Sequence, residues 1–313
     1  MRKLDILHNV TIELLNYCNS SCIHCYLEHF VPKKVEVENI IRVVNQAAAA
    51  GAMQITLTGG EPLLHPNITE IIKYIKNKGM AVNLLTSLNV EHGEWLDDIL
   101  LCDKIGISVY GSNRDIHDSI TRIDGSFDVM FDNLKYLIAR NSCITLNMTI
   151  MKENIADIAN MVALAEKTNL RYRLNYILHG LSMETHQIGL DDVKLLKRVF
   201  ASKDSTNTLS TSFKCVAGSD SLWVDVDLNV YPCVFFRMQL GNLLKQRLVD
   251  IWNESDSINI IKKTVNADFK KCQTCDLKYT CTPCIGENYN VNGDITIPCD
   301  FSCRIGDYGK CLI

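Results

Sequence analysis

Cys18, Cys22 and Cys25 stand in the stretch LLNYCNSSCIHCYLEHF in the order C-x-x-x-C-x-x-C. Three thiolates on one tight loop can wrap a corner of a [4Fe-4S] cube, and the fourth cysteine that would fill every iron is absent nearby. An iron without a protein ligand is open to a small chelating molecule. Zinc is the competing occupant, although a structural zinc site usually takes four protein ligands. A second array lies far downstream: Cys215, Cys233, Cys272, Cys275, Cys281, Cys284, Cys299, Cys303 and Cys311, with the central spacing C-x-x-C-x(5)-C-x-x-C. The chain has 14 cysteines, and its start, MRKLDILHNV, lacks the apolar segment of a secretory signal. In a reducing compartment such thiols stay available as ligands instead of pairing as disulfides.

These groups need elements to hold them. From residue 8 to about 190, short β-branched or apolar runs alternate with amphipathic stretches, the βα pattern of a parallel sheet. Strands are expected at Val10 to Leu15, Gln54 to Thr58, Ala81 to Thr86, Lys104 to Val109, Ile144 to Met151 and Arg171 to Tyr176. Helices are expected at Val35 to Ala50, Ile68 to Lys78, Gly93 to Leu100, Ser126 to Arg140 and Ile155 to Thr168. A polar segment, Lys203 to Ser212, then leads into a cysteine-dense tail with few long periodic helices. The expected domains are therefore 1–205 and 206–313. At 47% hydrophobic and 22% charged residues, the 313-residue chain can build a sizeable core. Its net charge of -4, without a Lys/Arg block, argues against a nucleic-acid partner. No apolar stretch approaches the roughly 20 residues that span a bilayer, so no membrane partner is expected and the location is read as cytoplasmic.

The three-cysteine loop resembles the signature of the radical SAM superfamily, in which the open iron holds the amino and carboxylate groups of S-adenosylmethionine. The resemblance implies an α/β fold, a partial (β/α)6 TIM-like barrel open along one side. Reactive loops then lie at the carboxyl ends of the strands, where Cys18, Cys22 and Cys25 follow the first one. The second strand runs into Gly59, Gly60, Glu61 and Pro62. Two glycines let backbone approach a ligand, and a glutamate can accept from an ammonium group. GGEP matches the superfamily's second hallmark, which contacts the methionine amino group. Ser108 and Asn147 resemble the family's ribose and carboxylate contacts, and Arg122 in HDSITRIDGSF resembles a carboxylate partner. His24 occupies a slot where relatives carry an aromatic that touches adenine. For these four, an ordinary structural role stays open. Cys102 and Cys143 precede the fourth and fifth strands, at the inactive end, and read as core thiols.

The tail resembles the SPASM domain of radical SAM enzymes, which holds two auxiliary [4Fe-4S] clusters. In DLNVYPC, Leu228 stands where that family places glycine, and the last gap of the cysteine block is one residue shorter. The resemblance implies an outer cluster on Cys272, Cys275, Cys281 and a late cysteine, Cys303 or its competitor Cys299. It implies an inner cluster on Cys215, Cys233 and Cys284, with its fourth position open to a substrate thiolate, Cys299 or another group of the chain. Cys311 is unassigned. A pair of zinc sites is the alternative that spacing alone leaves standing.

The resemblance implies three [4Fe-4S] clusters and reductive cleavage of S-adenosylmethionine to a 5'-deoxyadenosyl radical. The expected substrate is a ribosomally made peptide, or a protein, modified by thioether or carbon cross-linking or by epimerisation. Sulfatase-type formylglycine maturation is the alternative in that class, and a non-catalytic zinc or cluster scaffold the alternative outside it. An electron donor such as a flavodoxin or ferredoxin is implied. The first strand begins near residue 10, so a separate leader-binding protein or a short directly bound substrate is expected. No acid-base catalytic residue is assigned.

Overall fold

A computed structural model describes residues 6–27, 31–140, 142–179, 185–201, 215–264, 268–277, 281 and 283–312. The chain folds as two compact units, one of Thr11–Ala48 with Met53–Ile188, the other of Gly189–Ile313 with Met1–Val10 and Ala49–Ala52. The expected boundary near residue 205, and the polar segment around it, lie outside the described residues.

In the first unit, six strands stand in the order β6-β5-β4-β3-β2-β1 among the described residues. They are β1 (Asn9–Glu13), β2 (Gln54–Thr58), β3 (Ala81–Thr86), β4 (Lys104–Val109), β5 (Ile144–Thr149) and β6 (Arg171–Asn175). β2 to β6 pair in parallel. The helices between them are α1 (Val37–Ala49), α2 (Ile68–Asn77), α3 (Trp95–Asp98), α4 (Arg114–Thr121), α5 (Ser126–Ile138) and α6 (Ile158–Lys167). Together they form the expected partial barrel.

Strand alternation explains both the packing and the site. β3 reads AVNLLT and β5 reads ITLNMT, and in each the apolar set Val82, Leu84 or Ile144, Leu146, Met148 is fully buried. Successive side chains point to opposite faces, so Asn83, Thr145 and Asn147 share the other, partly accessible face. Parallel strands covered on both faces by apolar groups would read as continuous hydrophobic runs. These do not, because one face is polar. α1 buries Ile40, Val43, Val44 and Ala47, each large aliphatic worth roughly 1.5–3 kcal/mol when removed from water.

The sequence reading omits α4. Asn113 starts it, its side chain accepting from the Ile116 N–H at 3.2 Å. It stops at Arg122 in the left-handed conformation, φ 58°, without the glycine that usually marks such an end.

The second unit carries β7 (Ser221–Val224), β8 (Asn229–Tyr231) and β9 (Gly241–Asn242), an antiparallel meander. Its helices are α7 (Leu190–Ala201), α8 (Leu248–Glu254), α9 (Asp256–Lys263), α10 (Ile285–Asn292) and α11 (Asp300–Leu312). Among the described residues of the tail, one helix exceeds eight residues. α11 has 13 residues and packs against α7, so tertiary contact overrides the poor helix propensity of a segment with two glycines and two cysteines. Leu228 in the β7–β8 turn has φ 61°, so the position expected to hold glycine is left-handed. Burial of the leucine side chain and the Asp225 carboxylate, which accepts from the Asp227 and Asn229 N–H groups at 2.9 and 2.8 Å, hold it there.

Candidate metal and cofactor sites

β1 and β2 leave the sheet side by side, the Leu14 N–H donating to the Thr58 carbonyl at 2.8 Å. One residue on, the Gly60 N–H donates to the Leu15 carbonyl at 2.8 Å and the Glu61 N–H to the Tyr17 carbonyl at 3.1 Å. A Cβ on Gly60 would lie 1.9 Å from the Tyr17 oxygen and 2.9 Å from the Cys18 nitrogen. The close approach that this glycine permits is thus made by the cysteine loop's own backbone.

The loop is tied at three further points. At its base Asn16 and Lys33 exchange bonds, with Asn16 N–H to Lys33 O at 3.0 Å and Lys33 N–H to Asn16 Oδ1 at 2.7 Å. Beyond β3, Asn89 donates to Ser20 Oγ at 3.2 Å and accepts from the Asn19 side chain. At the end of α4, the Ile120 and Thr121 carbonyls accept from the Ile23 and Ser21 N–H groups, each at 3.0 Å. Arg122 follows immediately, its side chain exposed. Asp118 holds the turn after α4, accepting from Gly125 N–H, Ser126 Oγ and Phe127 N–H at 2.7, 2.7 and 2.8 Å.

Glu61 is completely buried. Its Oε1 accepts from Thr86 Oγ1 at 2.6 Å and Leu63 N–H at 3.1 Å, and its Oε2 from Ser87 N–H at 2.8 Å and Ser87 Oγ at 2.6 Å. Burial pushes its pKa up against the pull of these donors. Four donors bond the carboxylate, which ties the end of β2 to the end of β3. Pro62 opens the buried turn that follows. Ser108 and Asn147 are register partners on β4 and β5, so the two residues expected to touch one ligand lie side by side on the polar face. His24 packs edge-on against Tyr110 with ring centroids 4.7 Å apart, and burial lowers its pKa to about 4, leaving a neutral ring at neutral pH.

Cys18, Cys22 and Cys25 are brought close enough to feel each other's charge. Burial, then the charges of Glu61 and Cys25, pushes Cys18 up to about 11; burial, then Cys18 and Cys25, pushes Cys22 up to about 12; burial raises Cys25. The Ser20 N–H donates to Cys18 Sγ at 3.3 Å. Ligation requires thiolates, and three of them this near one another are stabilised by a cationic core. The donor set therefore fits an iron-sulfur group.

In the second unit the thiols sort into two sets. Burial, then the charges of Cys272, Cys275 and Cys303, raises Cys281 to about 11. These four line a cavity of about 260 Å³ with Phe269, Pro283 and Pro298. Burial, then Cys233 and Cys215 among its neighbours, raises Cys284 to about 12, and Cys233 likewise feels Cys215. Cys215 and Cys233 pack on a core of Ala217, Phe236, Ile261 and Ile295. Cys303 joins the outer set. Cys299 is buried, with its Sγ 3.6 Å from Ser302 Oγ and its N–H on Asn288 Oδ1 at 3.0 Å. Cys102 is buried as expected of a core thiol, Cys143 partly so, and the Cys311 side chain lies outside the described residues. Among the described residues, no three His, Cys, Asp or Glu side chains converge as a single bound ion would require.

Sequence reasoning missed Tyr110, Asp118, Glu287 and Gly306. Tyr110, two residues beyond Ser108, packs against Cys22 and Ile23. Glu287, in the first turn of α10, places its charge near Cys284 and Cys233. A Cβ on Gly306 would lie 2.7 Å from Cys281 Sγ, so α11 makes room for that thiol. The only signal was periodicity: i, i+2 on a strand and i, i+3 on a helix.

Comparison with known proteins gives the family. Family models match residues 12–165 (radical SAM superfamily) and 215–276 (SPASM, an iron-sulfur cluster-binding domain). An AdoMet-dependent heme synthase of Methanosarcina barkeri is 21% identical, covering 90% of this chain and 92% of that protein. The antilisterial bacteriocin subtilosin biosynthesis protein AlbA of Bacillus subtilis is 25% identical over 78% of this chain, which spans 59% of that protein. Among solved structures, Streptococcus suis SuiB bound to precursor peptide SuiA superposes with TM-score 0.78 at 15% identity, covering 96% of this chain and 76% of that one. The chain belongs to the radical SAM superfamily of enzymes and carries the SPASM domain downstream of its barrel.

Proposed function

We propose that this enzyme modifies a ribosomally made peptide or protein by radical C–H chemistry, using three [4Fe-4S] clusters. Cys18, Cys22 and Cys25 hold the first and leave one iron open. Cys272, Cys275, Cys281 and Cys303 hold the outer auxiliary cluster. Cys215, Cys233 and Cys284 hold the inner one, whose fourth position is left to a substrate thiolate or another group of the chain. The observation that carries this reading is the sorting of ten thiols into three separate sets.

When bound, the cluster and S-adenosylmethionine supply a 5'-deoxyadenosyl radical that removes hydrogen from an unactivated carbon. The chain's own residues orient and enclose. Ser108 and Asn147 offer paired hydrogen-bonding groups to the sugar and carboxylate, Arg122 offers a cation, and His24 offers a neutral ring face. Backbone at Gly59 to Pro62 borders the loop, while Glu61 stiffens that border. A flavodoxin or ferredoxin supplies electrons, a separate leader-binding protein presents the substrate, and the enzyme works in the cytoplasm. Peptide relatives such as the subtilosin protein support a peptide over a small molecule, with formylglycine maturation as the variant reaction. The end-to-end match to a heme synthase supports a second reading, action on a heme precursor.

The test is anaerobic reconstitution followed by incubation with reductant, S-adenosylmethionine and a candidate precursor peptide. Expected are iron and sulfide near three cubes, 5'-deoxyadenosine release and a peptide mass change. Stoichiometric zinc in a colourless protein would sink the proposal. Turnover of a heme precursor, with the peptide untouched, would replace it by the second reading.

A further inference from the structure

We propose that the Tyr110 hydroxyl donates a hydrogen bond to the Cys22 sulfur and thereby sets the reduction potential of the cluster held by Cys18, Cys22 and Cys25. This rests on the ligand assignment above. Tyr110 lies just past β4, two residues beyond Ser108 and on the same face. Its backbone is clamped on both sides: its N–H donates to His117 Nδ1 at 3.4 Å and its carbonyl accepts from Asn154 Nδ2 at 2.9 Å. Asn154 is itself fixed, accepting from Met151 N–H and donating to the Thr149 carbonyl, both at 2.8 Å. The ring is buried with Ile120, Met151 and Leu178, and Cys22, Ile23 and Ile116 pack against it. His24 and His117 flank it with ring centroids at 4.7 and 5.4 Å. The Tyr110 side chain therefore borders Cys22, with Ser108 two residues back on the same face.

The direction of that bond is forced. A metal-bound thiolate accepts only, so Tyr110 must spend its single proton on Cys22. Reduction adds negative charge to the cluster, and a donor to a ligand sulfur stabilises the reduced form more than the oxidised form. Tyr110 acts through Cys22, which makes it a positioning residue. Ser108 stands beside Asn147, its register partner, so the proposed cofactor contacts lie next to Tyr110 on one face.

The experiment is an EPR-monitored redox titration of the reconstituted full chain, following the signal that changes when S-adenosylmethionine is added. Tyr110→Phe keeps the ring and its packing. It is expected to retain iron content while the potential of that signal moves negative by about a tenfold loss in the reduction equilibrium, about 59 mV for one electron. Replacement of Tyr110 by 3-fluorotyrosine, nearly isosteric and a stronger donor, is expected to move it positive. If neither replacement moves the potential, the inference is overturned while the ligand assignment stands. If Cys22→Ala leaves the signal intact, the assignment falls and this inference with it.

Discussion

Gly60→Ala is the sharpest structural perturbation of this site. The added methyl would start 1.9 Å from the Tyr17 carbonyl oxygen, 2.3 Å from its carbon and 2.9 Å from the Cys18 nitrogen, all backbone atoms. No rotamer relieves such a clash, and real Cβ contacts essentially never fall under 3.0 Å. The loop must therefore move by about 1 Å or more at the residue that begins the thiol set. Moving it loosens two backbone bonds, Gly60 N–H to Leu15 O and Glu61 N–H to Tyr17 O. At about 0.5–1.5 kcal/mol each, these predict a loss of about 1–3 kcal/mol in denaturant unfolding. A misplacement of that size can cost on the order of a hundredfold in rate, so 5'-deoxyadenosine formation should fall about that far. Gly79→Ala is the control. Gly79 has φ 73° but nothing within 4 Å of its added methyl, so it carries backbone strain of about 1–2 kcal/mol without touching the loop. It should lose comparable stability and keep full iron content and cleavage rate. If Gly60→Ala assembles its cluster and cleaves S-adenosylmethionine within twofold of the parent, the claim that the glycine exists to admit the loop is wrong.

Three further outcomes follow from the same geometry. Cys303→Ser should remove about one cube's worth of iron whereas Cys299→Ser should leave it, as measured by iron and sulfide analysis; the reverse would exchange their roles. Asp118→Ala strips three hydrogen bonds from the turn after α4, where the loop is anchored, and should cost about 2–4 kcal/mol in unfolding, together with weaker S-adenosylmethionine binding by calorimetry. Burial lowers the pKa of His117 from 6.5 to about 4. The unfolded chain therefore binds its proton first, and stability should decline as pH falls from 6.5 toward 4 by up to about 3 kcal/mol. His117→Gln should flatten that part of the profile, and an unchanged slope would refute the assignment.

The sequence reading placed β3 and β4 at their observed limits because each is a short run rich in apolar residues between clear breaks. α4 escaped because it runs only eight residues and ends at an arginine, where the usual cue would be glycine. The same blindness applies at Leu228. A left-handed leucine looks like an ordinary apolar residue until its φ is known, and only the Asp225 clamp explains how it is tolerated. Among site residues, the cysteines and GGEP could be read from spacing. Spacing could not tell Cys303 from Cys299, since both sit on or beside one helix, and which thiol faces the cavity depends on how α11 is rotated. Glu61 was legible as a motif member but not in its bonding, because Thr86 and Ser87 come from another strand end 25 and 26 residues away. Tyr110 was invisible for a related reason, since its partners Cys22, His117 and Asn154 are joined only by the fold.

The central claim is that three thiols near the start of the chain leave one iron open to S-adenosylmethionine. Electron-nuclear double resonance on the reduced, reconstituted protein, with S-adenosylmethionine carrying a nitrogen-15 amino group, reads that iron directly. The account predicts a nitrogen-15 coupling that disappears in Cys18→Ala, Cys22→Ala or Cys25→Ala. A nitrogen-15-coupled signal that survives those substitutions, or the absence of any coupling to the labelled amino group in the unsubstituted chain at saturating cofactor, would contradict it.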